Sequence, residues 1–319
     1  MNMETNEMYR KLFSERFRSF IWDLFWQINV IFKYFSKHIE ATINYLLHNR
    51  DVFENKLTII TKVKDEAENI KEWIEYHKMV GADKFVIYDN ESVDNLKEVL
   101  QPYIDSGEVD YIYQPGNLIK IQVDLANQAI RKYRNKTQWI LVIDVDEFIV
   151  PVNKTTIFDA INEIECDLKK KIQALAMVWV MYGYSGHKTK PEGLVIENYT
   201  KNDGINPHIK TIVNPRLVVR FDVHYAICLF GMPVRTEKGI IVREGKIQNL
   251  PDASIEKIRI NHYYTKSYEE FLKKCYIRSE VLNIQEEERD VHLFDPDLLS
   301  HHEDRIMEKF IPQMKELMK

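Results

Sequence analysis

The chain has 319 residues, enough to bury a full core in one large domain or in a domain with appendages. Hydrophobic residues make up 45% and charged residues 29%, and 44 basic against 49 acidic side chains leave a net charge of −5, which argues against a nucleic-acid coat. The three cysteines, Cys166, Cys228 and Cys275, are scattered without a CxxC pair, which excludes a cysteine zinc site or disulfide framework as a first reading and fits a reducing cytosol.

The first apolar stretch starts late and is broken by charges, unlike a secretory signal. It gathers Phe20, Ile21, Trp22, Leu24, Phe25, Trp26 and Ile28, interrupted by Asp23, Gln27 and Asn29 and followed by Lys33 and Lys37. A spanning helix wants about 20 mainly apolar residues, and the polar breaks shorten this run. Residues 1–52 are expected as a helical extension that either lies on a membrane surface or packs on protein, as a homodimer contact through residues 1–50 would.

From residue 57 strands and helices alternate. "LTIITKV" (57–63) is a β-rich run. Residues 65–81 carry helical spacing, with Ile70, Trp73, Ile74 and Tyr76–His77 on one side and Gly81 as a stop. "KFVIYDN" (84–90) is a second strand, and residues 92–107 read as a helix with Ser92 at its N-cap. A strand at 109–114 and a helix at 122–135 follow, and "WILVIDVDEFIV" (139–150) reads as one buried strand. The order strand, helix, strand, helix predicts right-handed crossovers and a parallel sheet. Ligands bind such sheets beyond the carboxyl ends of the strands, so Lys62–Lys64, Asp89–Asn90 and Asp144–Glu147 should share one rim.

The second half is less regular. Strands are expected in 171–183 and 211–230 around the loop "GYSGHKTKPEG", and a helix after Ser267, with Glu270 completing a capping box. The tail from residue 297 reads as helical and charged.

Four constellations carry chemistry. In a continuous strand Asp144 and Asp146 share a face and Glu147 takes the other, and two hard oxygen donors so placed suit Mg²⁺ or Mn²⁺; solvated acids on a turn are the plainer alternative. Asp89 and Asn90 end the second strand, where a carboxylate accepts from a ribose or base. Lys62 and Lys64 could face phosphates, while Asp65 and Glu66 open a helix, where the dipole favours acids. His262, at a strand end, is either a metal ligand through its neutral imidazole or an ordinary packed histidine, as are His187, His208 and His224.

"KDEAENIKEWIEYHKMVGADKFVIYDNESVD" followed by "WILVIDVDEF" resembles glycosyltransferase family 92 and related family 2-like nucleotide-sugar glycosyltransferases. "VMYGYSGHKTKPEGLVIENY", "HIKTIVNP" and "INHYYTKSYEEFLKK" resemble the later blocks of that family in order and spacing. The resemblance implies an α/β fold of GT-A type: a Rossmann-like, mostly parallel sheet flanked by helices over residues 53–280, with helical extensions at 1–52 and 281–319. It implies that Asp144 contacts the donor ribose and metal shell, that Asp146 binds Mn²⁺ or Mg²⁺, and that His262 is a third ligand. Lys62, Glu66, Asp89 and Asn90 would line the nucleoside pocket with Asp124 and Asn127 nearby, and Lys210 would reach a phosphate. Trp179, Gly186 and His187 would lie toward a glycan or glycolipid acceptor. Glu192 is the preferred general base, ahead of Asp203 and Asp222. Where the family has Asn before the Glu of its first block, this chain has Asp65.

The expected activity is inverting transfer of a sugar from a nucleotide-sugar donor, a UDP-hexose first, in cell-surface polysaccharide synthesis such as capsule or lipopolysaccharide, in the cytoplasm or at the inner face of its membrane. A nucleotidyltransferase is disfavoured because "TKVKDEAEN" lacks a glycine-rich phosphate loop. A catalytically silent binding module is the alternative outside enzymes.

Overall fold

A computed structural model describes residues 32–48, 52–116, 118–247, 249–282 and 301–319, with side chains described except at 118–120 and 278–282. The aromatic run at 20–31 and the first part of the expected tail, 283–300, lie outside the described residues. The chain divides into two compact units, residues 1–49 and 50–319.

In the first unit helix α1 (32–47) exposes Phe32, Phe35, Ile39, Ile43 and Leu46, one stripe at helical spacing. Among the described residues no helix is long and apolar enough to cross a membrane.

The second unit opens with β1 (Asn55–Val63), α2 (Ala67–Met79), β2 (Lys84–Asp89), α3 (Leu96–Asp105), β3 (Val109–Tyr113), α4 (Leu118–Tyr133) and β4 (Thr137–Val142). Strands β3, β2, β1 and β4 lie side by side in that order and are parallel throughout. This is the mostly parallel central sheet read from the alternation. Strands β1 and β2 are largely buried on both faces while the edge strand β3 is not, and Leu57, Ile59, Phe85, Ile87 and Leu141 lie in one core. Helix α2 supplies Ile70, Trp73, Ile74 and Tyr76 to that core and ends at Gly81, whose φ of +119° few side-chain-bearing residues adopt.

The next elements are β5 (Glu147–Pro151), α5 (Ile157–Leu168), β6 (Ala174–Tyr182), α6 (Val195–Asn198) and β7 (Lys201–Val213). The hairpin β8 (Val218–Asp222) and β9 (Tyr225–Cys228) follows, then the short β10 (Val234–Arg235) and β11 (Ile241–Val242). The chain closes with β12 (Ile258–His262), α7 (Tyr268–Leu282), β13 (His302–Glu303) and α8 (Ile311–Leu317). Beyond β4 the sheet turns antiparallel at β7, and β12 inserts between β5 and β6.

Three expectations change. Residues 139–150 are not one strand: β4 stops at Val142, and a turn separates it from β5. Ser92 does not cap α3, which starts at Leu96; its hydroxyl instead accepts from the Asp65 N–H at 2.9 Å. The C-terminal residues 301–319 are no separate extension, because Met307, Phe310 and Met314 lie in the same core as the sheet and only Ile311–Leu317 is α-helical. Ser267 does cap α7: its Oγ accepts from the Glu270 N–H, and Glu270 Oε2 accepts from the Ser267 N–H, each at 3.2 Å.

Candidate active site

Strand order 3-2-1-4 places the topological switch between β1 and β4, since the chain runs outward from β1 to β3 and then returns to the other side of β1. An open pocket of about 490 Å³ lies there. Ile60, Thr61 and Lys62 come from β1, Tyr88 from β2, and Val142, Ile143 and Asp144 from the end of β4. Gln122, Val123, Leu125 and Ala126 of α4 form a facing wall, with Phe221 and Val223 from the hairpin. The lining is mostly apolar, with Thr61, Tyr88 and Gln122 as its uncharged polar residues, and its charges gather at one corner, where Lys62, Asp144 and Lys210 meet.

The turn after β4 closes on itself. The Glu147 N–H donates to the Asp144 carbonyl at 3.0 Å, and the Asp144 N–H donates to Glu147 Oε2 at 2.9 Å. The turn is anchored from below by α2, whose Trp73 Nε1–H donates to the Glu147 carbonyl at 2.9 Å and Tyr76 hydroxyl to the Ile149 carbonyl at 3.0 Å. Glu147 is therefore fully buried beside the other two acids, not on an opposite face with no part in the site. The broken strand is the reason: once the chain turns at 145–146, the alternation that separates Glu147 from Asp146 no longer holds.

Three lysines meet these acids. Lys62 Nζ is 3.1 Å from Asp144 Oδ1, and buried Lys210 bridges Asp144 Oδ2 at 3.2 Å and Glu147 Oε2 at 3.1 Å. Lys274 of α7 donates to Asp146 Oδ2 at 2.5 Å, and His262 Nε2 lies 3.3 Å from the same oxygen. Register explains His262: β12 pairs it directly with Glu147 of β5, and its Nδ1 lies 4.0 Å from Glu147 Oε1. Burial pushes the Asp144 and Asp146 carboxyls up, but Lys210 and Lys62 on the first, and Lys274 and His262 on the second, more than reverse this, so both stay ionised. At Glu147 burial prevails over Lys210 and the carboxyl is raised. Burial lowers Lys210, and its two carboxylates hold it above the usual range.

Trp179 of β6 lies against this corner, edge-on to His262 with ring centroids 4.5 Å apart. His208 stacks on it at 5.2 Å and His224 meets it edge-on at 5.2 Å, so one face of the indole is already covered. Burial pulls the His224 imidazole down to about 3 and lowers His208 as well, keeping both neutral.

The other expected residues divide. Asp89 and Asn90 reach the rim but serve its loops: Asp89 accepts from the Ser92 N–H at 3.0 Å and the Tyr111 hydroxyl at 2.5 Å, and Asn90 donates to the Gln114 and Gly116 carbonyls. Asp65 adopts φ +55°, a conformation that Asn and Asp tolerate best after glycine, and its Oδ1 accepts from the Val93 N–H. Lys64 donates to the Asn90 and Glu91 carbonyls, and Glu66 accepts from Asn69 at 2.7 Å. The structure does not bring Asp124 or Asn127 to the pocket. Asp124 is exposed on α4, and the Asn127 amide is spent on the backbone of Phe221, donating at 2.7 Å and accepting at 2.9 Å. Gly186 turns the loop after β6 with φ +88°, and His187 packs edge-on against Tyr199. Glu192, Asp203 and Asp222 are all exposed; Asp203 pairs with His301 at 2.7 Å, Asp222 accepts from its neighbour's N–H, and none joins the acid cluster.

Lys274 was not anticipated. A signal exists: it shares the helical stripe of the buried Phe271 and Cys275, where an unpaired lysine is costly.

The family model for glycosyltransferase family 92 matches residues 57–290, well over half the chain. The chain belongs to glycosyltransferase family 92. Relatives within family 92 include a protein of Ricinus communis, 26% identical over 229 residues that cover 70% of this chain and 38% of the relative. One from Oryza sativa subsp. japonica is 29% identical over 162 residues, 50% of this chain and 27% of the relative. Galactan beta-1,4-galactosyltransferase GALS1 of Arabidopsis thaliana is 25% identical over 210 residues, 62% of this chain and 39% of the relative. The chain thus spans about two fifths or less of the length of these relatives. Among solved structures, S. aureus TarS 1-349 in complex with UDP is similar at a TM-score of 0.33 and 12% identity, covering 51% of this chain and 47% of that one. So slight a likeness carries no argument.

The structure does not assemble the expected metal ligands Asp144, Asp146 and His262 into one set. Among the described residues no three His, Cys, Asp or Glu side chains form a ready cage, and Asp144 is turned to Lys62 and Lys210. Asp146 and His262 do fit a divalent cation. Two cis ligands of an octahedral ion, each about 2.0–2.1 Å from it, stand roughly 3 Å apart, close to the 3.3 Å seen between Oδ2 and Nε2. Behind them His262 Nδ1 and Glu147 Oε1 are buried without hydrogen-bond partners. At 4.0 Å the two do not make the hydrogen bond by which a carboxylate orients a ligating imidazole, so the pair is only near that arrangement.

Proposed function

We propose that this family 92 domain transfers a hexose from a UDP-sugar to a polysaccharide acceptor, with Mn²⁺ or Mg²⁺ held by Asp146 and His262. The observation that carries the reading is one corner of the fold. There, an apolar pocket at the switch point opens onto Asp144, Lys62 and Lys210, beside the Asp146–His262 pair. A base packs between Tyr88 and α4, and Asp144 accepts from the ribose hydroxyls. Lys210 and Lys62 face the negative charge that grows on the departing diphosphate. When bound, the divalent cation supplies Lewis-acid neutralisation of that diphosphate. Trp179, with the loop at Gly186–His187, forms the acceptor side. The similarity to the plant galactan galactosyltransferases supports a polysaccharide acceptor; capsule and lipopolysaccharide draw no support from these relatives.

The test is Mn²⁺-dependent turnover of UDP-, GDP- and CMP-sugars by the chain and by Asp146→Ala. A UDP-hexose should be consumed by the wild type and not by the variant. Silence with every donor would favour a binding module, and metal-stimulated turnover by Asp146→Ala would remove the metal assignment.

A further inference from the structure

Asp146 has two suitors. His262 Nε2 stands 3.3 Å from its Oδ2, and the Lys274 ammonium donates to the same oxygen at 2.5 Å. An ammonium ion and a divalent cation cannot both occupy the inner face of one carboxylate oxygen without close like-charge repulsion. Lys274 also has somewhere else to go. Its Nζ is 3.0 Å from the Tyr264 carbonyl oxygen and 4.2 Å from the Tyr264 ring centroid, and its side chain is 40% exposed. A cation released from Asp146 would thus keep an acceptor and an aromatic face.

We propose that Lys274 is a resident counter-cation of the metal position. It neutralises Asp146 until a divalent cation displaces it, and the displaced ammonium then faces the donor diphosphate. This rests on the metal reading given under Proposed function and adds Lys274, to which the family resemblance gave no role. The ammonium in place keeps a buried carboxylate from standing uncompensated. It also ties loading to substrate, because a donor diphosphate gives the released charge a new partner. Lys274 is here a positioning residue for charge.

The two halves of the proposal have opposite signs, which a merely structural role would not produce. Mn²⁺ alone is titrated into the full chain, with free Mn²⁺ read by its paramagnetic resonance signal; UDP is then titrated at saturating Mn²⁺ by calorimetry. Lys274→Met should bind Mn²⁺ about five- to tenfold tighter without nucleotide, the gain from removing a partly screened competitor. It should bind UDP several-fold more weakly once Mn²⁺ is present. Lys274→Arg should restore both values toward wild type, and matched thermal melts will show that the variants are folded. Equal or weaker Mn²⁺ binding by folded Lys274→Met would overturn the proposal, as would unchanged UDP binding. If neither wild type nor variant binds Mn²⁺, it is the metal reading itself that fails.

Discussion

Removing Lys210 should damage the fold before it damages the chemistry. Its ammonium lies 3.1 Å from Glu147 Oε2 and 3.2 Å from Asp144 Oδ2. The side chains of Lys210 and Glu147 are 3% and 0% exposed, so solvent screens little. At an effective dielectric of about 20, unit charges 3.1 Å apart attract by about 5 kcal/mol. Desolvating two ions offsets much of that, and the measured cost of deleting one member of a buried pair is about 3–5 kcal/mol. Asp144 keeps Lys62, whereas among the described residues Lys210 is the one ammonium within ion-pair distance of Glu147, so the penalty falls on Glu147. The Asp144 N–H still donates to Glu147 Oε2, but a neutral donor does not cancel a buried charge.

Lys210→Met should therefore lower stability by about 3–5 kcal/mol. Glu147→Gln in the same background removes the stranded charge, so the double variant should recover about 2 kcal/mol of that loss. Urea unfolding of the wild type, both single variants and the double variant, followed by tryptophan fluorescence, gives the cycle from midpoints at constant slope. Additivity within about 0.5 kcal/mol, or a Lys210→Met loss below about 1 kcal/mol, would refute the buried-pair argument.

His77 predicts an acid-labile scaffold. Its Nδ1–H donates to the Trp73 carbonyl at 2.7 Å and its Nε2 accepts from the Ile149 N–H at 3.3 Å, so the neutral ring is satisfied on both sides. Burial pulls its pKa from 6.5 to about 3. The unfolded chain takes the proton first, so this contribution is whole above the unfolded pKa and falls away as pH drops toward the folded one. The slope is about 1.4 kcal/mol per pH unit between the two. His77→Leu should unfold with one proton less of pH dependence between pH 4 and 6; equal slopes would mean that the ring is not held neutral. Gly81→Ala should cost about 1–3 kcal/mol in the same unfolding assay, because φ is +119° and the added Cβ would stand 3.0 Å from the Phe158 ring. A neutral result would show that the turn after α2 tolerates a side chain.

The parallel half of the sheet was legible because each element repeats one simple pattern. Buried strands such as 57–63 and 84–90 are rich in β-branched and aromatic residues, and α2 carries its apolar residues at helical spacing. Handedness then leaves few ways to connect them. The break inside 139–150 was not legible. Val145 and Phe148 are both buried, and the turn between β4 and β5 holds neither Gly nor Pro, so the stretch keeps the composition of a strand while its backbone reverses. What makes the turn is Glu147 reaching back to the Asp144 N–H, a side-chain contact that no propensity reports. The tail failed for a similar reason: Met307, Phe310 and Met314 look like one stripe of a solvated helix until the core they join is known.

The acids of the site could be read from sequence because β4 and its turn deliver them together, and Lys62 and Lys210 were expected at the site facing phosphate; their pairing with the acids, and Lys274 altogether, were not legible. Lys62 comes from β1, Lys210 from β7 and Lys274 from α7, and only the folded sheet brings the three ammoniums to the three carboxylates. Their meeting changes what Asp144-Val-Asp146-Glu147 means. Three negative and three positive side chains already balance, so the cluster does not by itself demand a metal. A diphosphate entering this corner upsets the balance by about two negative charges, and a divalent cation restores it. On the proposed reading, a dependence on metal would follow from the donor more than from the acids, and Lys274 would be the charge that has to move when the two arrive.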